Sequence, residues 1–435
     1  MKYAIKSLLL SILLIYSVPG QAQDYYYPDE TEWKTKDYRQ LNWCDEGVDS
    51  LLSYVERTHA KAFIVLHNGE MVIEEYYGTF TQDSAWYWAS AGKSLMAFLL
   101  GVAQEDGLLN INDKTSDYLG KGWTECPEEK EDLITIKHQL SMTTGLQDKL
   151  KPTIQIPIPE NCLRPECLQY EVDAGEQWAY HNAPYRLTQD VLEKASGVNK
   201  SIYTYRTLKP LDFKGVWINY VYFSTAREMA KFGLLMLSEG KWDGQAILGD
   251  ADYFDDMISP SQEINPAYGY LWWLNGQDSY RVPKVDFDFK GELIPNGRAD
   301  MISALGKNDQ KIYVVPSRDL VVVRMGNKAK KSLLALSDFD DSLWHYMNGV
   351  ACGIGVDKEY GKQVRVYPNP TQDRLNIQSQ HAGELSIWSV NGSLVHERSI
   401  SGLPVTVVTT NWPKGCYFVQ LETTRQVFRQ KVIVY

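Results

Sequence analysis

Two apolar hairpins, one at each end of a long helical stretch, constrain this chain more than any other feature. Phe63-Ile64-Val65-Leu66 and Met71-Val72-Ile73 flank Asn68-Gly69. An Asn-Gly pair tolerates the positive φ that both central positions of a two-residue type I′ turn demand. Ala62 to Tyr77 is therefore predicted as two antiparallel strands. Lys311 to Val315 and Leu320 to Met325 repeat the pattern around Pro316-Ser317-Arg318-Asp319. Between the hairpins the apolar spacing changes to three and four. Leu95, Phe98, Leu99 and Val102 predict a helix over Ser90 to Gln104, stopped by Gly107, and Met229, Phe232, Leu235 and Leu237 predict another from Thr225 to Gly240. A helical pattern from Ser332 to Val350 closes the unit. Strands at both ends with helices between predict an α/β (α+β) fold, an antiparallel sheet flanked by helices with an inserted helical lobe.

Gly353, Gly355 and Gly361 then mark a linker, and the pattern changes. Arg374 to Ile377, Glu384 to Trp388, Ser393 to Glu397, Val405 to Thr409, Cys416 to Glu422 and Val427 to Val434 are short alternating segments, with Asn391-Gly392 as another hairpin turn. They predict a small β-sandwich. At the other end, Lys2 and Lys6 precede an apolar run from Leu8 to Val18, and Gly20-Gln21-Ala22 offers small residues for cleavage. This is the pattern of a secretory signal peptide. The expected division is signal peptide 1–23, main α/β domain 24–355, linker 356–364 and β-sandwich 365–435. No later stretch approaches the ~20 apolar residues of a membrane span, so no transmembrane segment is expected in the mature chain.

A net charge of −11 disfavours phosphate backbones, so nucleic acid is not an expected partner. Six cysteines in an exported chain meet an oxidising compartment. Cys162 and Cys167 bracket a short loop that a disulfide could staple; zinc is the competing reading, but no CxxC or paired histidines accompany them. With seven His and no HExxH spacing, no metal and no cofactor are expected.

The chemistry centres on Ser90-Ala91-Gly92-Lys93. A serine hydroxyl is a poor nucleophile until a base takes its proton. Residues three apart share a helix face, so the Lys93 amine can reach Ser90. Burial or a second cation makes such an amine neutral and basic. The segment is no phosphate loop, because Tyr87 stands where the first glycine is needed, and no G-x-S-x-G occurs. Tyr180-His181-Asn182 supplies a phenol as proton shuttle and an amide, Asn182, to orient the lysine or bind substrate. Tyr346-Met347-Asn348 repeats the spacing within the closing helix and is read as structural. Lys307 is a candidate for binding a substrate carboxylate. Trp86, Trp88, Trp272 and Trp273 are candidates for either cleft wall or core.

Together these segments resemble the β-lactamase-related serine hydrolases, the class C β-lactamases, D,D-peptidases and esterases of one fold. The likeness spans roughly residues 45 to 350. It runs through Trp88 to Ser94, Ile134 to Leu146, Gly175 to Asn182, Tyr268 to Trp273, and Ala304-Leu305-Gly306 leading into Gln310. The resemblance implies a β-lactamase/transpeptidase-like fold, with Ser90 acylated and Lys93 and Tyr180 moving protons. It also implies an ester, amide or peptide substrate of small size. The third motif departs from the family's Lys-Thr-Gly or His-x-Gly, reading Lys307-Asn308-Asp309, with Asp309 in the glycine's place. That departure disfavours a carboxylate-bearing β-lactam, so an esterase or peptidase is expected. The second oxyanion donor is expected at the Gln310 backbone N–H. A catalytically inactive binding or surface protein on the same fold is the alternative. By the same expectation about the fold, Cys44 is paired with Cys352.

The tail resembles a second family. Val366-Tyr367-Pro368-Asn369-Pro370, Leu385 to Gly392 and Pro413 to Val419 look like the C-terminal sorting domain of type IX secretion. That implies the type IX machinery as partner and a secreted or cell-surface destination by way of the periplasm.

Overall fold

The computed structural model describes residues 25–29, 32–148, 161–329, 338–351, 364–379, 382–390, 393–402, 404–423 and 427–435. The leader, residues 356–363 of the linker, Cys352 and the Asn391-Gly392 turn lie outside the described residues.

Helix α1 (Asp45–Arg57) leads into β1 (Ala60–His67) and β2 (Glu70–Tyr76). The turn between them is the predicted one, with Asn68 at φ 51° and Gly69 at φ 81°. Gly69 is needed twice, since a Cβ there would fall 1.8 Å from the Tyr26 carbonyl oxygen. A two-residue strand β3 (Trp86–Tyr87) and a 3₁₀ turn, Ala89–Ala91, run into α2 (Gly92–Glu105). The helical lobe includes α3 (Asn182–Ser196), and β5 (Val221–Ser224) pairs with β3 on one side and β4 (Val216–Ile218) on the other. Helix α4 (Ala226–Leu237) starts where Thr225 accepts a hydrogen bond from the Glu228 amide at 3.3 Å. Short β6 (Trp273–Leu274), then β7 (Ile302–Gly306), β8 (Gln310–Val315) and β9 (Leu320–Gly326) complete a six-stranded antiparallel sheet in the order β2-β1-β9-β8-β7-β6. Helix α5 (Asp338–Asn348) closes the unit against α1; the first residues of the predicted closing helix lie outside the described residues.

Strand alternation sorts the two faces of this sheet. Ile312 and Val321 face α4, whose Gly233 lets the helix come close: an added Cβ would meet the Val321 side chain at 2.4 Å. Lys311 and Tyr313 face the other way, onto Asp340 of α5. β7 escaped the sequence reading because it is buried on both faces and carries Ser303, Ala304 and Gly306. It therefore shows neither alternation nor strong strand propensity.

The tail folds around a core of its own that includes Leu375, Ile377, Leu385, Ile387, Val419, Leu421 and Val432. A three-stranded and a four-stranded antiparallel sheet supply it, as the predicted sandwich requires. Val364–Tyr367 is an additional strand, with an inward-outward burial pattern.

Candidate active site

The 3₁₀ turn that carries Ser90 is anchored to β5 through Trp88. Trp88, fully buried, donates its indole N–H to the Ser224 hydroxyl at 2.8 Å. Its backbone N–H reaches the Tyr222 carbonyl at 2.8 Å. Ala89 is forced to φ 49°, a left-handed conformation costing a residue with a Cβ about 1–2 kcal/mol. Met142 (φ 60°) and Leu271 (φ 58°) share that conformation, and both lie in segments that build the site. Leu271 donates its amide to the Leu140 carbonyl at 3.0 Å and accepts from the Ser94 hydroxyl at 2.8 Å. Ala179, beside Tyr180, donates to the Met142 carbonyl at 2.8 Å. Such strain persists only where the surroundings over-determine it, and it gathers at functional sites. The sequence reading had no signal for it, because none of the three residues is a turn former.

Ser90, Lys93, Tyr180 and Asn182 come together. Lys93 is 3% exposed, and its amine lies 2.9 Å from Ser90 Oγ and 2.8 Å from Asn182 Oδ1. It stands 4.9 Å from the Tyr180 ring centroid. Tyr180 stacks on Trp273 at 5.8 Å between centroids, and Trp178 and Tyr268 pack edge-on around Trp273. Of the four tryptophans considered for the cleft, Trp88 and Trp272 are fully buried, and Trp273 is the one stacked on Tyr180. Between Tyr180 and Asn182, the His181 ring is buried with Nδ1 unbonded. Burial first, and the charge of Lys284 second, push its basicity down to about 3. The second Y-x-N, at Tyr346, belongs to α5, where the ring stacks on Tyr54 at 4.5 Å and its hydroxyl bonds Arg57.

The third motif sits differently from the reading made of it. The strand beside the nucleophile is β7, and the glycine that permits close approach is Gly306. A Cβ there would lie 2.5 Å from the Trp88 oxygen and 3.0 Å from the Ala91 nitrogen. Lys307, Asn308 and Asp309 form the β7–β8 turn; Lys307 is exposed, and Asn308 donates its amide to the Tyr87 hydroxyl at 2.7 Å. Asp309 occupies no glycine position in the cleft. Its carboxylate is buried, accepts the Ala329 amide at 2.9 Å and lies 3.5 Å from the Lys311 amine. Lys311 is paired as well with Asp340 at 2.8 Å, and Asp340 accepts from the Tyr313 hydroxyl. The expected repulsion of an anionic substrate by Asp309 therefore loses its basis. The Gln310 side chain is fully buried and spans to the Gly326 carbonyl at 2.7 Å and amide at 3.0 Å, so only its backbone N–H bears on the expected oxyanion role.

Cys162 and Cys167 form the expected disulfide. The proposed partner of Cys44 lies outside the described residues.

Residues 53–341 match the family model described as Beta-lactamase. The chain belongs to the beta-lactamase family. Residues 365–435 match a second model, the secretion system C-terminal sorting domain, so the strand-rich tail of this beta-lactamase family member is a sorting domain. A protein of Alkalihalophilus pseudofirmus described only as uncharacterized is 25% identical over 316 residues, 63% of this chain and 85% of its own length. Among solved structures, a Bacillus anthracis protein provisionally named a 6-aminohexanoate-dimer hydrolase superposes with a TM-score of 0.53 at 16% identity, over 75% of this chain and 91% of that one. An octameric penicillin-binding protein homologue from Pyrococcus abyssi superposes with a TM-score of 0.51 at 13% identity, over 88% and 99%. At these identities the likeness is one of fold. Among the described residues, no helix is long and apolar enough to cross a membrane.

Proposed function

We propose that this chain is an exported serine hydrolase that cleaves an ester or amide through an acyl-enzyme on Ser90. The observation that carries the reading is the buried Lys93 amine, 2.9 Å from Ser90 Oγ. In its neutral form that amine accepts the hydroxyl proton as the oxygen attacks the carbonyl carbon. Tyr180, the phenol beside it, relays the proton to the leaving oxygen or nitrogen. Asn182 holds the amine by its Oδ1 at 2.8 Å. Negative charge developing on the carbonyl oxygen is met by two backbone N–H groups, that of Ser90 and that of Lys307, which follows Gly306 where β7 touches the nucleophile turn. This replaces the expected donor at Gln310. Water then attacks the acyl carbon and releases the acid, the proton returning by the same groups.

The exposed ammonium of Lys307 at the end of β7 favours a substrate with an anionic group near the scissile bond. With Asp309 turned away and paired with Lys311, little on that side opposes such a group. The sorting tail supports delivery by the type IX machinery to the cell surface or beyond.

The test is turnover of a panel of chromogenic esters, small amides and β-lactams, with Ser90→Ala as control. Hydrolysis of at least one class, lost by about 10³-fold or more in the variant, is the expected result. Equal rates for wild type and Ser90→Ala across the panel would favour a binding protein on this fold.

A further inference from the structure

The Lys93 amine lies between two aromatic faces, and only one of them belongs to a residue with a proposed proton-transfer role. Tyr185 is the other, its ring centroid 4.4 Å from Nζ, nearer than that of Tyr180. The placement follows from helix geometry. Asn182 and Tyr185 are three apart on α3 and share a face, so the amide oxygen and the ring reach the same amine. The ring is locked as well: Tyr185 is 3% exposed, and its hydroxyl accepts from Gln189 Nε2 at 3.1 Å. That hydroxyl therefore points along the helix to the next turn, and the π face is what Lys93 meets.

Two opposing effects act on this amine. Burial disfavours its charge. A ring face, with its negative quadrupole, favours it, and more strongly where water is excluded. We propose that Tyr185 is a positioning residue for the proton-transfer step, its ring face holding the Lys93 amine as an ammonium between Ser90 and Asn182 in the free enzyme. It thereby sets the pH at which Ser90 becomes reactive. The inference rests on the acyl-enzyme reading above. The other titratable or charged groups on the elements around the amine are Tyr180 and His181 ahead of α3, Arg186, Asp190, Glu193 and Lys194 on α3 itself, Tyr268 packed on Tyr180, Lys307 at the β7–β8 turn, and Glu105 at the far end of α2. All of these stay unchanged when only the Tyr185 ring is altered.

The experiment drains the ring of its quadrupole while keeping its shape. Tyr185→Phe is the baseline, and successive fluorination of that phenylalanine, introduced by codon suppression in the full chain, gives the series. The rate of Ser90 acylation by a fluorophosphonate is followed across the acid limb of the pH profile, with thermal unfolding as a check on the fold. Tyr185→Phe is expected to keep the wild-type limb. Each fluorine is expected to move the limb to lower pH, by about one unit in total, with the plateau rate held, so that the fluorinated enzymes are the faster ones in acid. A merely structural ring would slow the reaction at every pH or do nothing. Limbs that coincide throughout the series, with labelling intact, would overturn the role of Tyr185 and leave the Ser90–Lys93 pair standing. A wild type that takes no label at any pH would remove the acyl-enzyme reading and this inference with it.

Discussion

At the residue scale, the decisive feature is how little freedom the reacting groups have. Lys93 is held by an amide oxygen, a hydroxyl and two ring faces, so its orientation is fixed before substrate arrives and little ordering remains to be done in the transition state. His181 shows what surrounds them. Folding keeps its ring neutral down to about pH 3, whereas in the unfolded chain it takes up a proton near the ordinary value of about 6.5. Below that value the unfolded state binds more protons, so stability is whole above about pH 6.5 and declines as the pH falls towards 3. Urea unfolding at pH 7 and pH 5 should show wild type losing about 2 kcal/mol more than His181→Gln over that interval. Equal losses would mean that the ring is protonated in the folded protein.

At the element scale, the site depends on the contact between the end of β7 and the turn carrying Ser90. In Gly306→Ala, the two groups nearest the new Cβ are backbone atoms, the Trp88 oxygen and the Ala91 nitrogen, with Gln310 Cβ next at 3.2 Å, and neither backbone atom can swing aside. The strand end and the nucleophile turn must separate, and a displacement of that size near reacting atoms costs about 100-fold in rate. A loss of this order in kcat/KM, with cooperative unfolding retained, is the expected outcome; wild-type kcat/KM would place the oxyanion site elsewhere. This contact was half legible in the sequence. Both hairpins, α2 and α4, and the meeting of Ser90 with Lys93 follow from period and spacing, because those elements carry apolar residues at helical intervals or end in turns with a chemical requirement. β7 has neither mark, so the glycine was sought three residues too late and Asp309 was assigned to a cleft it does not enter. Its partner Lys311 lies two residues further on, within β8, and pairing between buried charges leaves no trace in a local pattern. Nor does the strap along the sheet edge: the Lys34 carbonyl and Lys36 amide bond both sides of Met71 at 2.8 Å each, covering the free edge of β2.

At the scale of the whole molecule, the two cores share no residue. One gathers side chains from Val48 to Val350 and the other from Val364 to Val434. A chain ending at residue 355 is accordingly expected to fold and to hydrolyse the same substrates as the full chain while failing to leave the cell in an export assay. Export without the tail, or loss of hydrolysis on its removal, would reverse the division of labour. The central claim, that an amine strips the proton from a hydroxyl in a buried setting, is tested most directly by the rate at which a fluorophosphonate labels Ser90 in wild type and in Lys93→Met, located by mass spectrometry of the Trp88–Leu95 peptide region. Loss of the base should slow labelling by 10²–10⁴-fold in a protein that still unfolds cooperatively. Labelling of Ser90 at an undiminished rate in Lys93→Met, or labelling confined to another residue, would contradict the account.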